Sequence, residues 1–443
     1  MTPVAATDYH VSPGGRLSGN IRVPGDKSIS HRALMLGAIA KGRTTISDFL
    51  EGEDTLATLH AFREMGVKID HVAGQKVVIH GVGLHGLRAP ATILDLGNSG
   101  TSVRLLAGLL AGQSFDTELT GDPSLQKRPM RRITEPLQLM HASIQCSKAG
   151  TLPISIRGGQ RLQGIHYNMS VASAQLKSCL LLAGLYANGE TCVREPSPTR
   201  DHTERMLGQF GYAVKTGNQS VCLAGGGRLQ GTDVHVPADI SSAAFFIVGA
   251  SIAEDSELLL ERVGLNPTRD AVIGILQSMG ADIRISNRHD VSGEPAGDIR
   301  VRSASLHGVE IPPEQVPYAI DEFPAIMIAA AAATGETRLS GAEELRVKES
   351  DRIAAITDGL QALGIDAEAQ PGGLRVTGGP VFGGTVNSFG DHRVAMAFAM
   401  AGLVAREPVV IRDCANVDTS FPGFVTLARD AGLGIETGGA DDK

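Results

Sequence analysis

Three short stretches concentrate side chains that chemistry needs. In "PGDKSISHR", Lys27, Ser28 and Arg32 lie within a turn or so of a helix start. That spacing can ring an anion with an ammonium, a hydroxyl and a guanidinium. Read alone, the same residues serve equally well as a basic capping turn on a solvated face. "LRVKESDRI" holds Arg346, Lys348, Glu349, Asp351 and Arg352, too mixed in sign for a plain phosphate patch. Joined by Asp321 in "DEFP" and by His392 and Arg393 in "GDHR", it supplies acids, bases and fork-shaped cations. That set suits proton transfer between two carboxylate- or phosphate-bearing substrates. His392 has no second histidine or cysteine at ligand spacing, so no metal is implied.

Two further stretches are less specific. "LGNSGTS" is glycine-rich and opens a helix around Gly100, but it lacks the spacing and lysine of a nucleoside-triphosphate loop. Close backbone approach to a ligand fits it better. "GDPSLQKRPM" offers Lys127 and Arg128 before Pro129, which alone reads as a charged turn.

The elements that must hold these residues repeat along the chain. "GRLSGNIRVPGD" from Gly15 returns as "GRLQGTDVHVPAD" from Gly227, each followed by an alanine-rich apolar run. Similar runs follow Asn98, Ser173, Asp321 and Asp391, making six. Each is apolar nearly all round and starts with polar residues suited to capping, so each is expected to be a buried helix. Amphipathic segments ending in "FREMGVKI", "LGQFGYAV", "LQSMGADI" and "LQALGIDA" read as a second helix turning into a strand. The implied unit is β-α-β-α-β-β, and six units in two groups of three predict an α/β fold of two similar lobes. The Val-Pro-x-Asp segments mark the crossings, giving a middle lobe, 27–239, and a split lobe, 1–26 plus 240–443. Unpaired N–H groups at six helix starts facing one cleft would form an anion trap.

Bulk composition agrees with a two-domain globular protein whose partners are small molecules. The chain has 443 residues, 42% of them hydrophobic and 20% charged, ordinary values for a globular protein. A net charge of -8 argues against nucleic-acid and anionic-membrane partners. The five cysteines are scattered without a Cys-x-x-Cys pair and are expected to be reduced thiols. The start lacks the pattern of a secretory signal, and the longest alanine-rich run, Ala325 to Ala333, is too short to span a bilayer. A cytoplasmic location is expected.

Taken together and in order, "PGDKSISHRALMLGAIAKG", "LGNSGT", "KRPM", "SAQLKS", "RVKESDR" and "GDHRVAMAFAMAG" resemble the EPSP synthases, the 3-phosphoshikimate 1-carboxyvinyltransferases. The resemblance covers essentially the whole chain. It implies the enolpyruvyl transferase fold, an inside-out α/β barrel in two lobes, and a step of the shikimate pathway toward aromatic amino acids. The reaction implied moves the enolpyruvyl group of phosphoenolpyruvate to the 5-hydroxyl of shikimate 3-phosphate and releases phosphate, without cofactor or metal. By the same resemblance Lys27, Ser28, Arg32, Ser173, Gln175, Arg200, Asp321 and Lys348 hold shikimate 3-phosphate. Lys27, Gly100, Arg128, Gln175, Arg352 and Arg393 hold phosphoenolpyruvate. Asp321 is the expected base, with Glu349 and Lys27 delivering a proton to the methylene carbon. A monomer is expected, with glyphosate as an inhibitor to consider.

Ala174, Arg200 and Thr419 depart from the best-known branch of the family and resemble a herbicide-tolerant one, whereas Gly100 is the small residue of sensitive enzymes. The sister transferases acting on UDP-N-acetylglucosamine usually carry a loop cysteine and a Lys-Asn start. This chain has no cysteine near Arg128 and reads Lys27-Ser28. A silent anion-binding protein would not need Asp321, Glu349 and Lys27 beside its ligand.

Overall fold

In the computed structural model, which describes residues 7–72 and 74–439, all six apolar runs are helices. They are α1 (Lys27–Ile39), α2 (Gly100–Ala111), α3 (Ala174–Gly184), α4 (Ile240–Ile252), α5 (Phe323–Ala332) and α6 (His392–Ala401). Burial explains their composition: in α4 every residue from Ile240 to Ser251 is buried, so no polar face is tolerated. Small residues let these helices approach closely. A Cβ on Gly108 of α2 would lie 2.0 Å from the Cys179 carbonyl oxygen of α3.

Side chains cap five of the six starts: Asp26, Ser99, Ser173, Asp239 and Asp391 each accept a backbone N–H from the first turn. At α5 the cap residue Glu322 makes no such bond, and Pro324 stands in the first turn instead. The carboxylates before α5 are therefore not used as caps.

Outer helices span Glu53–Glu64, Arg131–Leu139, His202–Gln209, Ala271–Ser278, Arg352–Ala362 and Phe424–Ala431. Four end at the glycines of the recurring tag, Gly66, Gly211, Gly280 and Gly364, all with φ between 78° and 100°. A glycine there admits the left-handed turn that closes a helix. The bond that seals it recurs, as from Val67 N to the Phe62 carbonyl at 3.0 Å. After Arg131–Leu139 the same turn is made by His141, at φ 67°, with Ala142 N donating to the Leu137 carbonyl at 3.1 Å.

The described residues form six small sheets. In one, Leu94–Asp95 runs parallel to Thr117–Thr120, which pairs antiparallel with Ile154–Arg157 and, through it, with Ser143–Cys146. With α2 and Arg131–Leu139 between its strands, this is the β-α-β-α-β-β unit expected from the sequence. The twice-written stretch is an exchange of strands. Ser18–Ile21 leads through Val23-Pro24-Gly25-Asp26 into α1 but pairs in parallel with Glu257–Gly264. Asp233–His235 leads through Val236-Pro237-Ala238-Asp239 into α4 but pairs in parallel with Lys41–Ser47.

The chain divides into two compact units. One comprises Met1–Pro24, Pro237–His289 and Pro295–Lys443, and the other Gly25–Val236 with Asp290–Glu294. Each has its own apolar core built on three inner helices: Leu34, Leu105 and Leu181 in the second, Phe246, Ile328 and Phe398 in the first. Among the described residues no helix is long and apolar enough to cross a membrane.

One expectation is corrected. Cys192 and Cys222, thirty residues apart, are joined by a disulfide, and Cys146, Cys179 and Cys414 are free. Spacing could not show this, because the two meet only as partners on adjacent antiparallel strands.

Candidate active site

Each unit gathers chemistry where its inner helices begin. In the Gly25–Val236 unit, Lys27 opens α1 and pairs with Asp54 of the outer helix Glu53–Glu64. Arg32, one turn on, is buried, and its Nε donates to Thr203 Oγ1 at 2.6 Å. Its Nη1 donates to the Ser28 carbonyl at 3.0 Å, and Nη2 to Ser178 Oγ at 2.8 Å. Those bonds use three of the five guanidinium N–H groups and leave two for an anion. Burial pushes the Arg32 guanidinium down to about 10, with Arg200 adding to the push and Glu204 and Asp26 opposing it. It stays charged at neutral pH. His31 beside it is held well below its usual range by burial and by Lys27 and Arg32, so it is neutral there.

The starts of α2 and α3 meet through Gln175. Its Oε1 accepts from Arg104 Nη1 at 2.6 Å, and its Nε2 donates to Thr101 Oγ1 at 3.1 Å. Arg128, nearly buried, donates from Nη2 to Asn98 Oδ1 at 2.7 Å. Gly100 lies under this group: a Cβ there would come within 3.2 Å of Arg128 Nη1 and 3.3 Å of Arg104 Nη1. Ser173 caps α3, accepting from Leu176 N at 3.3 Å. The structure thus brings Ser28 and Arg32, and Gly100, Arg128 and Gln175, into two adjoining groups.

A buried charge cluster missed in the sequence supports the loop that carries Arg200. Lys177 Nζ, at 1% exposure, lies 3.0 Å from Glu195 Oε2 and 2.7 Å from Glu204 Oε1, and it donates to the Thr199 carbonyl at 3.4 Å. A lysine inside the apolar run "SAQLKSCLLLAG" was the available signal, because a buried ammonium must have carboxylate partners. Two acids face one lysine, and burial raises the Glu204 carboxyl above its ordinary value although Lys177 works against this.

In the other unit the cluster centres on Arg352, first residue of an outer helix and 1% exposed. Each nitrogen of its fork meets a carboxylate: Nε to Asp391 Oδ2 at 2.8 Å, Nη1 to Asp321 Oδ1 at 3.2 Å, and Nη2 to Glu349 Oε2 at 2.6 Å. Burial works against its charge, but Asp391, Glu349 and Asp321 outweigh burial and hold it protonated. Lys348 Nζ reaches the same Asp321 Oδ1 at 3.1 Å. Asp391 is fully buried and would be driven up by that burial, yet Arg352 keeps it below the usual carboxylate range. Asp391 also caps α6, accepting from Arg393 N at 2.9 Å. The Arg393 fork turns to the α5 start, donating to the Asp321 carbonyl at 3.1 Å, with Glu322 Oε1 at 3.7 Å.

Behind this group, Ser241 Oγ donates to Glu322, and Arg269 Nη2 donates to Ser241 Oγ at 2.6 Å and to Asp239 Oδ1 at 3.1 Å. The starts of α4, α5 and α6 are thereby linked. The plain "DISSAA" start braces the other two through Ser241 and Glu322. Thr419, where the family resemblance leads one to expect lysine, is buried, with its hydroxyl donating to the Asn416 carbonyl at 2.7 Å.

One unit thus gathers Asp321, Glu349, Lys348, Arg352 and Arg393 about the starts of α5, α6 and the Arg352–Ala362 helix, and comparison with known proteins decides the family. The family model for EPSP synthase (3-phosphoshikimate 1-carboxyvinyltransferase) matches residues 11–427. The chain belongs to the EPSP synthase family. Its relatives in the family include the 3-phosphoshikimate 1-carboxyvinyltransferase of Alkalilimnicola ehrlichii, 64% identical over 437 residues and 98% of each chain. That of Coxiella burnetii is 56% identical over 430 residues, 97% of this chain and 98% of the other. The solved EPSP synthase of Acinetobacter baumannii superposes with a TM-score of 0.88 at 54% identity, covering 98% of this chain and all of that one. The two-lobed enolpyruvyl transferase fold is therefore shared.

Proposed function

We propose that the protein transfers the enolpyruvyl group of phosphoenolpyruvate to the 5-hydroxyl of shikimate 3-phosphate, giving 5-enolpyruvylshikimate 3-phosphate and phosphate. The observation that carries this reading is the Arg352 hub, which holds a candidate base, Asp321, and a candidate acid, Glu349, on one guanidinium. Full-length EPSP synthase relatives above 60% identity support the substrate pair.

An alcohol is a poor nucleophile, and the enol carbon becomes electrophilic only when its methylene is protonated. Glu349 and Lys27 are the proton donors to that methylene. Asp321 takes the proton of the 5-hydroxyl as its oxygen bonds to C2. Loss of a proton from the new methyl group and departure of phosphate from C2 then restore the double bond. Ser28, Arg32, Ser173, Gln175, Arg200 and Lys348 hold shikimate 3-phosphate. Arg128, Arg393 and Arg352, with Lys27, Gly100 and Gln175, take phosphoenolpyruvate, whose carboxylate suits bidentate guanidinium donors. In this structure the Arg352 nitrogens are all engaged by carboxylates, so its part in binding requires Glu349 or Asp321 to release one of them.

Phosphate release tests the reading. Phosphoenolpyruvate with shikimate 3-phosphate should give one phosphate per product formed, and neither substrate alone should give any. Equal release with UDP-N-acetylglucosamine in place of shikimate 3-phosphate would overturn it.

A further inference from the structure

Four metal-ligand side chains meet on one sheet, among residues that enolpyruvyl transfer does not use. The sheet orders its strands His166–Asn168, Glu190–Arg194, Ser220–Ala224 and Lys215–Gly217. Register places His166 beside Cys192, Cys192 beside Cys222, and Cys222 beside Lys215, one row across all four strands. Residues in one row share a face, and Glu190, two before Cys192, shares it too. The opposite face is core: Thr191, Val193, Val221 and Leu223 are buried.

On the row's face the ligand atoms of His166, Glu190 and Cys192 all lie within 4.8 Å of one another. Cys192 Sγ is 3.6 Å from Glu190 Oε2, and Cys222 Sγ is bonded to Cys192. His166 is exposed and Glu190 and Cys222 are half-buried, so solvent reaches the group.

We propose that, once the Cys192–Cys222 bond is reduced, Cys192, Cys222, His166 and Glu190 bind one divalent cation of the zinc type. A dithiol or phosphine reductant supplies two electrons to the S–S bond and is itself oxidised, and two protons complete the thiols. The cation then displaces both thiol protons and takes two thiolates, an imidazole and a carboxylate, a complete four-coordinate set. Two sulfur donors exclude magnesium and calcium. Charge also closes: two thiolates and Glu190 against a doubly charged cation leave one negative charge, and Lys215 Nζ, 3.1 Å from Glu190 Oε1, offsets it. Backbone pairing of three strands fixes the donors, so the cation would pin the strand that runs directly into Glu195 and the Arg200 loop.

The test is a cobalt titration of the full chain, reduced with a phosphine and transferred to oxygen-free buffer. The reduced protein should bind one Co2+ with sulfur-to-cobalt charge-transfer absorption, and Zn2+ should displace it. The unreduced protein should show no such band. Cys192→Ser and Cys222→Ser should each abolish or strongly reduce the band. His166→Ala and Glu190→Gln should weaken binding about tenfold or more, the effect of losing roughly 1.4 kcal/mol, while circular dichroism confirms folding. No band in the reduced protein would overturn the site, as would a band that persists in both cysteine variants. Unchanged affinity in His166→Ala and Glu190→Gln would overturn the four-ligand assignment.

Discussion

Arg352 and Asp391 form the innermost contact of the acid-base cluster, with Nε donating to Oδ2 at 2.8 Å and neither side chain more than 1% exposed. Asp391 spends its other oxygen on the α6 start, which fixes the backbone of Arg393. One carboxylate thus orients two arginines. Asp391→Asn should leave a buried guanidinium short of one partner and cost about 3 kcal/mol or more, as broken buried pairs do. Urea unfolding measures this, and a loss below about 1 kcal/mol would show that Glu349 and Asp321 suffice.

Asp321→Asn should keep binding of shikimate 3-phosphate while turnover falls at least about a hundredfold, the scale of a positioned general base. Turnover and a binding titration on the same preparation separate the two effects. Near-normal turnover would remove Asp321 from the role of base.

Arg393→Lys should weaken phosphoenolpyruvate much more than shikimate 3-phosphate, because lysine keeps the charge but loses the two-pronged donor. Separate titration of each ligand checks this. Equal weakening of both would make Arg393 a general support of the α5 start.

Gly100→Ala puts a Cβ 3.2 Å from Arg128 Nη1 and 3.3 Å from Arg104 Nη1, so both guanidinium groups must give way. The expected result is a KM for phosphoenolpyruvate raised by about tenfold or more, since small displacements at a reacting centre are costly, with shikimate 3-phosphate binding retained. An unchanged KM would mean that the two arginines shift without consequence.

The Lys177 cluster has a pH signature. The folded-state pKa of Glu204 is raised, so its contribution to stability is fully present below the unfolded value, about 4.3. It is lost as pH rises through the folded value. Glu204→Gln should remove that decline while leaving Lys177 paired with Glu195. Unfolding free energies from acid to neutral pH should therefore fall with pH more steeply in the wild-type chain than in the variant. Parallel curves would contradict the assignment.

What was legible in the sequence was mostly local. The six inner helices stood out because burial on all sides favours apolar residues over three turns, admitting polar ones such as Arg32 and Lys177 only where partners meet them, and caps such as Asp26 and Asp391 sit at fixed offsets before them. Four outer helices were marked by a glycine that their closing turn requires. The Arg131–Leu139 helix escaped because His141 takes the left-handed turn in glycine's place, at a cost of about 1 to 2 kcal/mol. The motif residues Lys27, Arg32, Asp321, Glu349, Arg352 and Arg393 were visible by type and order. Their partners were not, because they come from other segments: Asp54 for Lys27, Thr203 and Ser178 for Arg32, and Asp239 with Arg269 behind Glu322. The Cys192–Cys222 pair was hidden for the same reason, since strand register carries no mark in the spacing of two cysteines.

The central claim, that the acid-base cluster drives addition of an alcohol to a protonated enol followed by loss of phosphate, is tested most directly by running the reaction in deuterium oxide. If the methylene is protonated before the double bond returns, the isolated 5-enolpyruvylshikimate 3-phosphate should carry deuterium on its vinyl methylene carbon, read by mass and by proton NMR. Product formed with full release of phosphate but with no deuterium at that carbon would contradict the account.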